Sequence, residues 1–374
     1  MTSSTHDDGP SNRSKVFQPW SHKGLALRNR IVMAPMTRRM ALADGLVTKE
    51  SVAYYARRAK GEVGLIVSEG TAIDDLHAYD TITVPRVQTP EQWDAWKRVV
   101  DAIHTEGGAF APQLWHTGRL AADPIGPSGG PGVPRADGTR RPDIREMGPD
   151  DFRQVLDAFR NAARGTLQMG ADALEIHGAH GYLLDSFLSP VNNQRNDEYG
   201  GSLESRMRFP LEVVREIRSV VGPDFPVLYR FSQWKMDDYR EQKFQNPNDL
   251  EQWVVALADA GVDILHASTR DAREPAFEGH GPLTLAGWSE KLSGLPTVAV
   301  GKVSVTLGMD ESYGTSPSEV VDPGPWLDLV ERNECSLLAV GRALIANPDW
   351  VAKVRSGKWE TLRPYEKEML KTLE

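Results

Sequence analysis

The stretch Ala173-Leu-Glu-Ile-His177-Gly-Ala-His180-Gly-Tyr182-Leu-Leu-Asp185-Ser-Phe-Leu-Ser-Pro190 decides how the rest of the chain is read. It begins as a buried strand. Where the apolar run stops it presents His177, His180 and Tyr182 within six residues. Gly178 and Gly181 let the backbone turn sharply beside them. Three proton-capable side chains at the end of one strand form a candidate reaction floor. The question is then what the remaining strands place opposite it.

Outward from this stretch, short apolar runs alternate with helical patterns. The runs are Ile31–Ala34, Val63–Glu69, Ala109–Leu114, Ala171–His177, Val227–Phe231, Val262–Ala267, Thr297–Val300 and Leu337–Val340. Helical patterns at Thr48–Lys60, Asp150–Met169, Ser202–Val221, Gly287–Ser293 and Trp326–Arg332 fall between them, and Asn246-Pro247 and Asn347-Pro348-Asp349 open two more. Thr89-Pro90-Glu91-Gln92 reads as a capping box with proline at the first helical position, and Gly107-Gly108 ends that helix. Near-continuous apolar strands indicate a parallel sheet covered on both faces. Eight alternating units predict an α/β chain folded as a single-domain (β/α)₈ TIM barrel. A doubly wound open sheet is the alternative, but Met33-Ala-Pro-Met-Thr37 lacks the glycine fingerprint such a fold carries after its first strand. Residues 119–147 are rich in proline and glycine without apolar period and predict a lid-like loop after the third strand. Residues 1–15 read as a disordered arm and residues 16–374 as the barrel domain.

A net charge of −9 argues against nucleic acid or an anionic membrane as the main partner. No apolar run approaches the length of a membrane span, and the polar N-terminus has no signal-peptide core. The lone cysteine, Cys335, excludes an intramolecular disulfide or an all-cysteine metal cluster within the chain, and fits a reducing, cytoplasmic setting. Lying in an apolar run, it reads as structural. The protein is expected as a monomer or homo-oligomer acting on small molecules.

Barrel enzymes place their chemistry at the C-terminal ends of the strands. Reading off those ends gives Pro35, Met36 and Thr37 after the first strand and Gly70 after the second. Gln113 and Trp115 close the third strand, followed by His116, and Arg230 lies on the fifth. Gly301 and Lys302 follow the seventh, and Gly341 and Arg342 the eighth. No carboxylate pair suited to glycoside hydrolysis is present. The last two ends are where barrels often bind phosphate, and a guanidinium can grip it with two hydrogen bonds. A surface ion pair is the alternative for Arg342. His-x-x-His at 177 and 180 has no obvious third ligand, so no metal site is expected. The pairs Arg38-Arg39 and Arg57-Arg58 read as solvated, with a partner subunit as an alternative contact. Trp93 and Trp96 read as helix packing.

These residues resemble the old yellow enzyme family of FMN-dependent ene-reductases, from about Val16 to Lys358. The resemblance rests on Asn29-Arg-Ile-Val-Met-Ala-Pro-Met-Thr-Arg38, on Gln113-Leu-Trp-His116, on Glu175 through Glu198-Tyr-Gly-Gly-Ser-Leu-Glu204 to Arg206, and on Val340-Gly-Arg342 with Asn347-Pro348. The second histidine of the donor pair is often asparagine in the family, with histidine the known variant. The resemblance implies FMN as cofactor and NADPH or NADH as co-substrate, reducing the activated C=C bond of α,β-unsaturated carbonyl or nitro compounds. It implies that Pro35, Met36, Thr37, Gly70, Gln113, Arg230, Gly301, Lys302, Gly341 and Arg342 hold the cofactor. It further implies that His177 and His180 bind the substrate oxygen, that Tyr182 supplies a proton and that Trp115 walls the pocket. An oxidative FMN-linked dehydrogenase or demethylase, or a flavin-binding protein without turnover, is the alternative.

Overall fold

A computed structural model describes residues 15–74, 77–135, 137–308 and 316–374. The expected arm lies outside the described residues except for Lys15. The chain opens with a hairpin of β1 (Trp20–His22) and β2 (Leu25–Leu27), followed by β3 (Ile31–Met33), α1 (Lys49–Lys60), β4 (Leu65–Ala72), α2 (Pro90–Thr105) and β5 (Ala109–Trp115). Then come β6 (Ile125–Gly126), β7 (Arg145–Glu146), α3 (Pro149–Gln168), β8 (Leu174–His177), α4 (Leu183–Leu188), α5 (Leu203–Val221) and β9 (Val227–Ser232). The remainder is α6 (Pro247–Ala260), β10 (Ile264–Ser268), α7 (Leu285–Ser293), β11 (Thr297–Val300), α8 (Gly324–Glu331), β12 (Leu337–Val340), α9 (Arg342–Ala346) and α10 (Trp350–Arg355).

Eight parallel strands close in the order β3-β4-β5-β8-β9-β10-β11-β12, and β12 pairs back onto β3 through Leu338–Ile31 and Val340–Met33. The barrel expectation therefore holds and the open sheet does not. Closure leaves no strand edge exposed. The helices begin where their caps are written. Thr89 accepts from Gln92 N–H, Pro90 occupies the first turn, and Thr48 accepts from Ser51 N–H.

The strands are buried along their whole length because they face two cores. Inside the barrel, Val32, Leu65, Val67, Ala111, Leu228 and Val298 belong to a small cluster that Leu25 and Leu27 join. The hairpin thus plugs the N-terminal end of the barrel. Outside, Trp96, Phe110, Trp253 and Trp350 pack between strands and helices in the larger cluster.

Four local expectations need correction. β4 runs on to Ala72, past Glu69, with a register shift between Val67 and Gly70. The segment 119–147 is not featureless: β6 and β7 pair, and Gly130 meets Ile144 in an antiparallel bridge. A short helix, α9, precedes the closing α10. The two arginine pairs are not solvated as pairs. Arg58 is 0% exposed, stacks on Tyr54 at 3.6 Å and donates to the carbonyl oxygens of Leu344 and Ile345. Arg38 is buried and donates to the carbonyls of Met369 and Thr372. Both arginines satisfy backbone acceptors of the C-terminal segment, which sequence periodicity does not announce.

Candidate active site

Above the apolar interior the barrel turns polar. Inward positions on β5, β8, β9 and β10 carry Gln113, Glu175, His177, Arg230, His266 and Ser268, all buried. They line or underlie a cavity of about 430 Å³ at the C-terminal ends of the strands. The cavity wall includes Pro35, Met36, Thr37, Gln113, Trp115, His177, His180, Tyr182, Arg230, Gly301, Lys302, Gly341 and Arg342. One predicted site residue, Gly70, is not on the wall. A Cβ there would stand 2.6 Å from the Trp115 ring, so its lack of a side chain is what lets the indole lie flat against β4.

The imidazoles are placed by the turn after β8. His180 adopts a left-handed conformation with φ of 65°, which histidine and asparagine tolerate better than most residues. Gly181 follows at φ 82°. The turn is pinned from outside, because Asp185 accepts from Gly181 N–H at 2.6 Å and is itself paired with buried Lys243 at 2.7 Å. Gly178 is required for another reason: a Cβ would fall 2.1 Å from the Tyr229 hydroxyl.

A backbone hydrogen bond sets the His177 tautomer, and Ser268 partners His180. His177 Nδ1 accepts from Ala179 N–H, so its proton sits on Nε2. Ser268 Oγ accepts from Arg230 at 3.3 Å and lies 2.8 Å from His180 Nε2. With two lone pairs and one hydrogen, Ser268 Oγ can accept from His180 Nε2–H as well as from Arg230, or donate to the bare nitrogen; only the second arrangement puts the His180 proton on Nδ1. Burial, aided by the Arg230 charge, drives both imidazoles well below the ordinary histidine pKa. They are neutral at neutral pH.

The aromatic neighbours complete the wall. Trp115 stacks on His177 at 6.3 Å and meets Tyr182 edge-on at 5.0 Å, and the Tyr182 ring is 4.9 Å from that of His177. Trp234 stacks on His180 at 4.4 Å. His116 points away into the protein, where its Nδ1 accepts from Gly118 N–H and burial lowers its pKa to about 3.

On the opposite side the loops after β11 and β12 meet. Lys302 has φ of 55°. A Cβ on Gly301 would stand 2.7 Å from Ala272 N, so that loop admits only glycine there. Arg342 donates to the carbonyls of Leu307 and Gly308 at 2.6 and 2.9 Å, tying the two loops together at the cavity wall. The residues present fit a flat, polar, phosphate-bearing heterocycle. Arg230 Nε is buried without a partner, Gln113 offers an amide edge, Thr37 is open to the cavity, and two cations stand at one end.

The chain also matches a known family. The pattern of the NADH:flavin oxidoreductase / NADH oxidase family covers residues 15–360. The chain belongs to this family. It is 32% identical over 354 residues to the NADH oxidase of Thermoanaerobacter brockii, across 91% of this chain but only 50% of that protein, so it spans half the length of that relative. It is 32% identical over 372 residues to 12-oxophytodienoate reductase 7 of Oryza sativa subsp. japonica, across 93% of this chain and 90% of that one. The structure of morphinone reductase in complex with tetrahydroNAD superposes with a TM-score of 0.77 at 27% identity, covering 95% of this chain and 93% of that chain. The old yellow enzyme homologue from Zymomonas mobilis does so with 0.77 at 26%, covering 96% of each. The resemblance to old yellow enzymes therefore stands, and the chain is an oxidoreductase with FMN as cofactor and a nicotinamide co-substrate. Among the described residues, no helix is long and apolar enough to cross a membrane.

Sequence reasoning missed several members of the site. His266 and Ser268 are polar residues in an otherwise apolar strand, Ile264-Leu-His-Ala-Ser268, and that mismatch was the available signal. Glu175 sits in the opening motif but was read only as strand. Trp234 and Lys243 come from a loop with no local pattern.

Proposed function

We propose that this oxidoreductase is an ene-reductase acting on α,β-unsaturated carbonyl or nitro compounds. The observation that carries the reading is the convergence of neutral His177 and His180, with Tyr182 beside them, on the wall facing Thr37, Arg230 and the Lys302–Arg342 end of the cavity. FMN held there would supply the redox chemistry, passing electrons from NAD(P)H to the β-carbon of the activated alkene as hydride. As hydride arrives, negative charge builds on the carbonyl or nitro oxygen. The two imidazole N–H groups are positioned as donors to that oxygen, and being uncharged they donate without surrendering the proton. Tyr182 is the proton source for the α-carbon, a phenol being acidic enough to protonate an enolate-like carbon. Trp115 confines the substrate against this face. Thr37, Gln113 and Arg230 hold the ring system of the cofactor with Pro35 and Met36, and Gly301, Lys302, Gly341 and Arg342 hold its phosphate. Gly70 supports the site indirectly, through Trp115. The lone Cys335 is buried and its thiol pKa pushed up by that burial, which suits a structural role in a reducing, cytoplasmic setting.

NADPH and NADH consumption with 2-cyclohexenone is the direct test; absence of turnover with either nicotinamide removes the reading. His177→Ala combined with His180→Ala is expected to abolish the long-wavelength band that p-hydroxybenzaldehyde induces in the flavin spectrum, while FMN stays bound. A band of unchanged intensity in the double variant would show that the phenol oxygen is held elsewhere.

A further inference from the structure

Between the apolar barrel interior and the cavity lies a pair that this mechanism does not use. Glu175 on β8 and His266 on β10 are both 0% exposed, and Glu175 Oε2 meets His266 Nδ1 at 2.5 Å. The other carboxylate oxygen accepts from Gln113 Nε2 at 2.8 Å across the β5–β8 pairing. A carboxylate only accepts, so Gln113 turns an N–H toward Glu175 and presents its carbonyl oxygen to the cavity.

The charge on the pair follows from its contacts. His266 Nε2 is buried with no partner. An unsatisfied lone pair costs less there than an unsatisfied cationic N–H, which makes His266 the neutral Nδ1–H tautomer. The negative charge then stays on Glu175. Burial opposes that charge, but His266, Arg230 and Gln113 overcome it and hold the carboxyl below its usual range. Among the described residues, the cavity wall contains arginines and lysines and no carboxylate. Arg230, paired with His266 in the β9–β10 register, therefore has its opposing charge beneath the cavity rather than in it.

We propose that Glu175, held by His266, is the buried counter-charge of Arg230 that tunes the reduction potential of bound FMN and fixes the orientation of the Gln113 amide. Glu175 and His266 are positioning residues, since neither reaches the cavity. The inference rests on the flavin seat described above. Reduction adds negative charge to the cofactor; Arg230 favours that charge and Glu175 opposes it. Removing the carboxylate charge shifts the potential in the positive direction. It also frees Gln113 to present either end of its amide.

The test is a reductive titration of the FMN-loaded protein, with neither alkene nor nicotinamide present. Glu175→Gln is isosteric and is expected to retain FMN while shifting its reduction equilibrium at least tenfold toward the reduced form, about 30 mV for a two-electron couple. Glu175→Asp restores the wild-type equilibrium to within about threefold, the charge being kept. His266→Leu moves the equilibrium in the same direction as Glu175→Gln, and His266→Gln, which keeps an N–H on the carboxylate, does not. A wild-type or more negative potential in Glu175→Gln overturns the proposal. So does loss of FMN from a folded Glu175→Gln protein, because that makes Glu175 a structural support. Should Glu175→Gln fail to fold, His266→Leu decides by the same criterion. A wild-type protein that takes up no FMN removes the flavin reading itself, a failure distinct from an unchanged potential.

Discussion

Glu69 shows how one buried carboxylate couples the backbone to the chemistry. It sits on β4, and its Oε2 accepts from the backbone N–H groups of Arg38 and Arg39 at 2.8 and 3.0 Å. Those two residues directly follow Thr37, so Glu69 anchors the loop that carries a predicted flavin contact. Burial raises its pKa to about 7 although both backbone donors and the nearby arginines pull it down. The native state therefore binds a proton more tightly than the unfolded chain between the ordinary carboxylate pKa and about 7, and stability falls as pH rises through that window. The total change across the window amounts to roughly 3 kcal/mol. Glu69→Gln keeps an acceptor for both N–H groups and removes the titration. Urea unfolding at pH 5 and pH 8 is expected to show the variant gaining on the wild type by 1–3 kcal/mol at the higher pH; an equal difference at the two values would place the titration elsewhere. At this scale the sequence was legible where residue type and position coincide. His177, His180, Tyr182 and Arg230 reach one cavity as expected from the strand ends. Glu69, Glu175 and His266 were not legible, because an acidic or basic residue inside an apolar run gives no sign of what it pairs with across the barrel.

The turn between β8 and α4 holds His180 in a conformation the backbone does not favour, so its support lies outside the turn. Asp185 and Lys243 supply that support, with side chains 1% and 3% exposed. Lys243 also donates to the carbonyl oxygens of Ser232 and Trp234, joining the loop after β9 to the start of α4. Burial raises the Asp185 pKa to about 6 even with the lysine beside it. Lys243→Met leaves the carboxylate buried without its cation. The cost is expected to be about 3–5 kcal/mol at pH 8, where Asp185 must ionise or take up a proton, and smaller at pH 5, where the protonated acid needs no counter-ion. Thermal unfolding at the two pH values measures it; a deficit that does not grow with pH would mean the pair is not coupled. The eight barrel strands and their capped helices were legible because strands buried on both faces read as unbroken apolar runs. The β1–β2 hairpin and α9 were not, since three to five residues carry too little period to distinguish from loop. The same shortness hid β6 and β7 within the segment after β5.

Across the whole molecule, the barrel is closed below by its first hairpin and flanked above by its last residues. The C-terminal segment has no amphipathic period, yet Tyr365, Lys367 and Leu370 stand on the cavity wall. It is tied down by arginines from two other parts of the chain: Arg38 donates to the Met369 and Thr372 carbonyls, and Arg57 to that of Leu373. Tyr365 also bridges to Ser318, and its ring faces Arg342 at 5.8 Å. The two ends of the chain's chemistry are thereby linked. The loop carrying Thr37 holds the C-terminal segment through Arg38, and that segment borders Arg342 and the proposed phosphate end of the cavity. No barrel strand pairs with it. Deleting residues 359–374 is therefore expected to leave the barrel folded, with helical circular dichroism close to the wild type, while FMN retention weakens by at least tenfold, about 1.4 kcal/mol of binding free energy. Arg342→Ala is expected to weaken retention in the same direction, through loss of both a wall cation and the bond to the Leu307 and Gly308 carbonyls. Flavin occupancy after dialysis distinguishes the outcomes. Full occupancy in the shortened protein would mean that the barrel loops alone hold the phosphate and that the segment only borders the cavity; loss of the folded barrel would mean that the arginine–carbonyl bonds hold the architecture and not just the site.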